Sequence, residues 1–173
     1  TNTTTCNLEE LDGLLPPGQP LRPAAVLVGL IPREAGWQVL LTRRTQDLPT
    51  HGGQISFPGG RIEPGDADAV AGALRETHEE LGIPPSAVRP IGLLDVYGII
   101  SAFAVTPVVG IVDPGSETRP DAREVDEVFE VPLRFLLDRR NLKREERHFR
   151  GRLRGYYAFP YGERYIWGAT AGM

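Results

Sequence analysis

Glu76, Glu79 and Glu80 lie within five residues of one another, in the stretch 57–83 that reads FPGGRIEPGDADAVAGALRETHEELGI. On a helix advancing about 100° per residue the three carboxylates span about 100° of arc, close enough to repel by a few tenths of a kcal/mol per pair. Either water solvates this acidic face, or a cation belongs on it. Arg75 stands four residues before Glu79 and can pair with it, while Glu76 and Glu80, also four apart, converge on a common point. Oxygen ligands on one rigid face suit a hard divalent ion that keeps some of its waters, Mg2+ or Mn2+, and such a site also takes the phosphate oxygens of a substrate. Val70, Ala71, Leu74, His78 and Leu81 gather on the opposite side and are expected to pack on a sheet. Gly72 falls on the carboxylate face. Glycine in mid-helix costs about 1 kcal/mol against alanine, and its bare backbone would admit a ligand or a loop.

The helix must be held by other elements. Asp66 or Asp68 can cap its start, and Gly82 with Pro84 beyond ends it. Upstream, 24–31 (AAVLVGLI) and 36–44 (GWQVLLTRR) read as strands joined by a hairpin at PREAG. Residues 45–60, with six Gly or Pro, read as an ordered loop holding a brief strand at 54–57. Downstream, strands are expected at 88–98, 103–112 and 124–131, a short helix at 132–138, and strands at 148–159 and from 164 into a terminal helix. Residues 1–20 read as a polar tail or short helical arm (8–15, LEELDGLL) closed by Pro16, Pro17 and Gly18, and 21–173 as a single domain. Strands before and after a central helix, in no regular βαβ rhythm, predict an α/β sandwich with a mixed sheet.

The chain has 173 residues, 40% hydrophobic and 24% charged, which suits one globular domain with a real core. A net charge of −4 argues against a nucleic-acid binder, which needs a broad basic face. It leaves room for a small anion bound through a metal and a few arginines. Cys6 is the single cysteine, so no intramolecular disulfide and no cysteine zinc site can form, and the expected compartment is the reducing cytoplasm. No apolar run reaches the ~18 residues of a membrane helix, and the N-terminus lacks the pattern of a secretory signal. His51, His78 and His148 are too scattered for a metal triad, and Trp37, Trp167, Tyr156 and Tyr157 read as core or rim.

The stretch 60–83 resembles the Nudix box, G-x5-E-x7-R-E-U-x-E-E-x-G-U with U a bulky apolar residue. Residues 75–83 match its second half, with Thr77 in place of one bulky residue. The first half carries one residue too many, so the box's isolated acid stays open: Asp66 stands at the right distance from Gly60, Ala67 at the right distance from Arg75, with Glu63 and Asp68 nearby. The resemblance implies a Nudix-type α/β/α sandwich with a mixed β-sheet, and hydrolysis of a diphosphate linked to a nucleoside. Glu76, Glu79 and Glu80 would hold the metal, with Arg75, Glu79 and Glu80 as the catalytic set. The proton of the attacking water would go to Glu79, Glu80 or a distant loop glutamate, Glu124 or Glu127; for the last two the plainer reading is an acidic strand edge.

Residues 40–60 (LLTRRTQDLPTHGGQISFPGG) look like the extra signature of coenzyme A pyrophosphatases, with Leu40, Leu41, Thr42, Arg44, Gly53 and Phe57 to Gly60 matching. Thr45 stands where Ser or Ala is usual, and Pro49 replaces an arginine; residues 166–171 (IWGATA) resemble the end of the same group. That likeness implies coenzyme A or a derivative as substrate, Mg2+ or Mn2+ as cofactor, and Arg44, Gly59 and Gly60 near the ligand's phosphates. It names a homodimer as the assembly to test, and no nucleic acid or membrane as partner. Rival readings are the same chemistry on ADP-ribose, a dinucleotide or a nucleoside triphosphate, a nucleotide-sensing module without catalysis, and a metal-assisted prenyl diphosphate isomerase.

Overall fold

A computed structural model describes residues 7, 11, 15, 18, 20–46, 52–149 and 151–173. Cys6, Pro16, Pro17, Pro49, His51 and all of the expected arm at 8–15 except Leu11 and Leu15 lie outside them. The main sheet is mixed. β1 (Arg22–Arg33) pairs in parallel with β7 (Phe103–Val112) on one side. On its other side β1 pairs antiparallel with β2 (Gly36–Arg44) over Leu30 to Arg33 only. The two then splay, and 55–61 enters the fork: β3 (Ile55–Ser56) pairs with β2 at Thr42 and Arg43, and β4 (Gly59–Arg61) pairs with β1 at Ala24 to Val26. β8 (Val125–Pro132) lines the outer edge of β2, while β5 (Val88–Leu93) and β6 (Tyr97–Ile99) line that of β7. Strands β9 (Lys143–Phe149), β10 (Arg152–Tyr161) and β11 (Arg164–Trp167) form a second, antiparallel sheet.

Alternation along β1 divides the core. Leu27 and Ile31 join Leu40, Leu81, Ile83 and Val112 on one face. Val26, Val28 and Leu30 meet Val39, Leu41, Phe159 and Ile166 on the other. Helix α1 (Ala69–Leu81) covers the first face. The second is covered by short α2 (Leu133–Leu137), by the small sheet, and by α3 (Ala169–Gly172). Each fully buried leucine contributes about 1.5–3 kcal/mol through burial alone. The outcome is the expected α/β sandwich on a mixed sheet.

Two strand boundaries differ from expectation. The segment 88–98 is two strands, because β5 carries a bulge between Pro90 and Gly92 and the chain leaves β7 before re-pairing at Tyr97. The expected strand at 148–159 is β10 from Arg152 onward, but its start is the turn of a hairpin: Gly151 takes φ +76°, and 143–149 folds back as β9. KREERHF carries no alternation to announce a strand; only its pairing with β10 makes it one. The buried Asn7 side chain donates to Gly98 O and accepts from Gly98 N, both at 2.8 Å, which ties this residue to β6. No helix among the described residues is long and apolar enough to cross a membrane.

Candidate active site

Asp68 caps α1, accepting from Ala71 N at 2.8 Å, and Gly82 closes it with φ +70° and an N–H donated to His78 O. The buried side chains are Ala73, Thr77, Glu80 and Leu81. Val70, Leu74 and Leu81 pack on the sheet as expected, but the packed face extends round to Thr77 and Glu80, and His78, expected against the sheet, is exposed. Thr77 explains the rotation: fully buried, it satisfies its hydroxyl by donating to Ala73 O at 2.7 Å, so the helix leans on this edge.

That lean drives Glu80 into the fork between β1 and β2. The Glu80 carboxylate is 5% exposed and accepts from Gly59 N at 3.1 Å. Arg44, at the end of β2, stands 3.7 Å away on the same side of the sheet. Burial pushes the Glu80 pKa up to about 7; the Gly59 N–H and Arg44 pull it back, and the charges of Glu124 and Glu76 push it further. Glu76 is also raised, again mainly by burial, with Arg75 opposing. Its carboxylate lies over Gly60, where an added Cβ would fall 2.5 Å from the carboxylate carbon. Gly59 and Gly60 thus seat the two acids, and the Gly59 N–H is already engaged.

Arg75 organises the rest. Its Nε and Nη2 donate to the two oxygens of Asp66, each at 3.0 Å, and Nη2 also donates to Arg61 O at 2.9 Å. Nη1 reaches Glu76 at 3.0 Å and Glu79 at 3.3 Å. Asp66 is fixed in turn by Glu63 N, and the guanidinium holds its carboxyl below the usual carboxylate range. Of the acids left open, Asp66 clamps Arg75, Asp68 caps the helix, and Glu63 contributes its backbone N–H. Gly72 admits this loop, since a Cβ there would lie 3.1 Å from Asp66 Oδ2 and 3.3 Å from Ile62. Two substitutions separate the roles. Asp66→Asn is expected to lower kcat/KM by about 10–100-fold through loss of Arg75 orientation. Asp68→Ala is expected to cost about 1 kcal/mol in urea unfolding with activity within twofold.

The segment 113–124 is hooked onto the end of α1, with Arg119 N donating to Leu81 O at 2.6 Å and Asp121 N to Glu80 O at 2.9 Å. From the other side Thr45 N donates to Glu124 O at 3.0 Å, and Thr45 Oγ1 to Arg123 O at 3.2 Å. The hook places Glu124 within electrostatic reach of both Glu76 and Glu80. Glu127 differs: Arg43, on the opposite face of β2 from Arg44, meets it at 2.8 Å, and Arg164 of β11 meets its other oxygen. Nothing in the local pattern of DPGSETRPDA marks Arg119 and Asp121 as anchors, because they act through backbone N–H groups.

The donor set here is all oxygen, borne on one helix face, with one carboxylate whose pKa burial raises to about 7 against the pull of the Gly59 N–H and of Arg44. Those properties fit a hard divalent cation. Arg75 draws Glu76 and Glu79 toward itself, and among the described residues no three His, Cys, Asp or Glu side chains are grouped closely enough to share an ion. Glu79 is 58% exposed and touches Arg75 at 3.3 Å.

The family profile described as NUDIX domain matches residues 20–153, which includes the fork, α1 and the hooked loop. The chain belongs to the NUDIX family. A relative described as "Uncharacterized Nudix hydrolase NudL" from Escherichia coli K12 is 41% identical over 152 residues, 88% of this chain and 79% of its own. The protein of the same description from Enterobacter sp. strain 638 is 40% identical over the same shares. Among solved structures, the MutT protein from Methanosarcina mazei Go1 superposes with TM-score 0.55 at 26% identity, over 69% of this chain and 83% of that one. The NUDIX domain of Shewanella oneidensis NrtR, solved with ADP ribose, superposes with TM-score 0.51 at 18% identity over 76% and 86%, a likeness of fold. The chain is therefore a Nudix hydrolase, and hydrolases of this family generally use divalent metals such as Mg2+ or Mn2+.

Proposed function

We propose that this Nudix hydrolase cleaves the diphosphate of coenzyme A or its derivatives, releasing 4′-phosphopantetheine and adenosine 3′,5′-bisphosphate. The observation that carries the substrate is spatial. The two segments that resemble coenzyme A pyrophosphatases, 40–60 and 166–171, are far apart in sequence, yet Thr170 Oγ1 donates to Ile55 O at 3.0 Å. They meet beside the fork that seats Glu76 and Glu80.

Glu76, Glu79 and Glu80 would hold Mg2+ or Mn2+, which when bound offsets phosphate charge and makes a bound water more acidic. Arg75 orients Glu76 and Glu79. Arg44, whose Nε makes no hydrogen bond among the described residues, turns its guanidinium to a diphosphate oxygen. Glu124 takes the proton of the attacking water, since its loop is fixed to the end of α1, whereas Glu127 is committed to Arg43 and Arg164. Replacing Glu124 by Gln is expected to lower kcat by about 10²–10³-fold with KM within about threefold, the range for loss of a positioned general base. An unchanged kcat would return that role to Glu79 or Glu80.

Substrate choice is tested by competition. An equimolar mixture of coenzyme A, ADP-ribose and dGTP with Mg2+ is sampled at low conversion, so that the product ratio reads the kcat/KM ratio directly. Adenosine 3′,5′-bisphosphate should dominate by at least tenfold. Dominant release from ADP-ribose or dGTP would keep the helix chemistry and remove coenzyme A.

A further inference from the structure

Across the sheet from the carboxylates lies a cavity of about 280 Å³ that the hydrolytic chemistry does not use. Its walls come from the 40–60 segment on one side, with Arg43, Gln46 and Ile55, and from β11 on the other, with Arg164, Tyr165 and Trp167. Consecutive residues of β2 point to opposite faces of the sheet, so Arg44 marks the carboxylate side and Arg43 the cavity side of one rim. The Gly53 N–H donates to Arg44 O, and Arg44 N donates to Gln54 O, which binds the cavity's Gly53 edge to the carboxylate side. A ligand of modest length can therefore lie across the rim and occupy both.

The cavity's chemistry is unlike that of a phosphate site. Its two guanidiniums are already neutralised: Glu127 pairs with both, Asp126 lies 3.4 Å from Arg43, and Glu163 adds a further carboxylate to the wall. An entering anion would meet more negative than positive charge. Neutral hydrogen-bonding capacity nonetheless remains. The Gln46 carboxamide, exposed on the cavity wall, supplies both a donor and an acceptor that carry no charge. Amide carbonyls and N–H groups of a ligand would pair with it without adding charge. Ile55, Tyr165 and Trp167 supply apolar walls for methylene groups. The volume lies just below the roughly 300–1,000 Å³ of a whole small-molecule site, so it takes a part of a ligand.

We propose that this cavity receives the uncharged, amide-bearing arm of the substrate while the diphosphate lies against the α1 carboxylates. The assignment rests on the coenzyme A reading above. It adds Gln46, Arg164 and Trp167 as groups that set specificity by binding the arm.

The test uses pantetheine, the arm without phosphate, on metal-free protein. Trp37 stands at the β1–β2 hairpin, away from the cavity, so Trp37→Phe leaves Trp167 as the sole indole. Its ring N–H resonance should shift saturably with pantetheine, and Gln46→Ala should weaken that binding at least fivefold. The same substitution should raise KM for coenzyme A about as much, leave kcat unchanged, and spare a truncated substrate ending in a methyl ester. No saturable shift, or a shift produced by adenosine 3′,5′-bisphosphate, overturns the assignment. Cleavage of coenzyme A with an unmoved Trp167 would defeat this inference alone. Pantetheine binding without cleavage of coenzyme A would defeat the substrate reading alone.

Discussion

Glu80→Gln is expected to abolish turnover by about 10³-fold or more while making the metal-free protein more stable at pH 8. The two effects share one cause. Glu80 is a carboxylate kept out of water, whose pKa burial has raised from 4.5 to about 7. Because the folded value lies above the unfolded one, the native state binds the proton more tightly. Its contribution to stability is full below about pH 4.5 and is lost as pH rises through about 7. Each factor of ten in that proton affinity is worth about 1.4 kcal/mol. Glutamine keeps the shape and the Gly59 hydrogen bond but never ionises, so the variant should lose this part of the decline. Urea midpoints at pH 5 and pH 8 in EDTA read the difference between variant and wild type. A metal ion must displace the same proton, so wild-type Mg2+ affinity should weaken below pH 7, and calorimetry at pH 6 should show proton release. A Glu80→Gln variant that is less stable at pH 8, or that keeps a tenth of wild-type activity, would contradict this account.

Gly59 and Gly60 are adjacent, yet their alanine variants should fail in different ways. At Gly59, with φ +151°, a Cβ would fall 2.6 Å from Val26 Cα and closer still to Ala25 O. Both obstacles are backbone of β1, so β4 would have to leave the fork. The expected cost is about 4 kcal/mol, a large fraction of the 5–15 kcal/mol that holds a domain folded. Gly60→Ala meets only the mobile end of Glu76, 2.5 Å from the new Cβ. That carboxylate swings away, so the protein should fold within about 1 kcal/mol of wild type but lose about 10²-fold in kcat/KM. Gly65→Ala, in the same loop with nothing within 4 Å, is the control and should change neither. Thermal unfolding and kcat/KM on the three variants separate these outcomes.

Much of this site was legible before the fold was known, for a physical reason. Helical spacing alone puts Glu76, Glu79 and Glu80 on one face, and strand alternation alone sends Arg43 and Arg44 to opposite sides of β2. Local chemistry fixes such facts. The pairing of Asp66 with Arg75 was not legible, because the extra residue between Gly60 and Arg75 shifts either count by one, and the clamp forms only where the loop folds back on α1. His78 was misplaced because helical arithmetic gives relative angles; which edge leans on the sheet is set by the fit of Thr77 and Leu81 beneath. The splaying of β1 and β2, which turns Gly59 and Gly60 into seats for carboxylates, is a tertiary event with no local signature. Nor does the sequence show that Glu124 is drawn to the helix by the N–H groups of Arg119 and Asp121, five and three residues before it.

In the proposed reaction the α1 carboxylates, seated in the fork, would hydrolyse the diphosphate of coenzyme A. Its most direct test is product identification by mass spectrometry after wild-type protein meets coenzyme A and Mg2+, beside Glu80→Gln and an EDTA control. The account predicts equimolar adenosine 3′,5′-bisphosphate and 4′-phosphopantetheine from wild type and neither from the two controls. Coenzyme A recovered intact from wild type, or products that persist in the Glu80→Gln reaction, would contradict it.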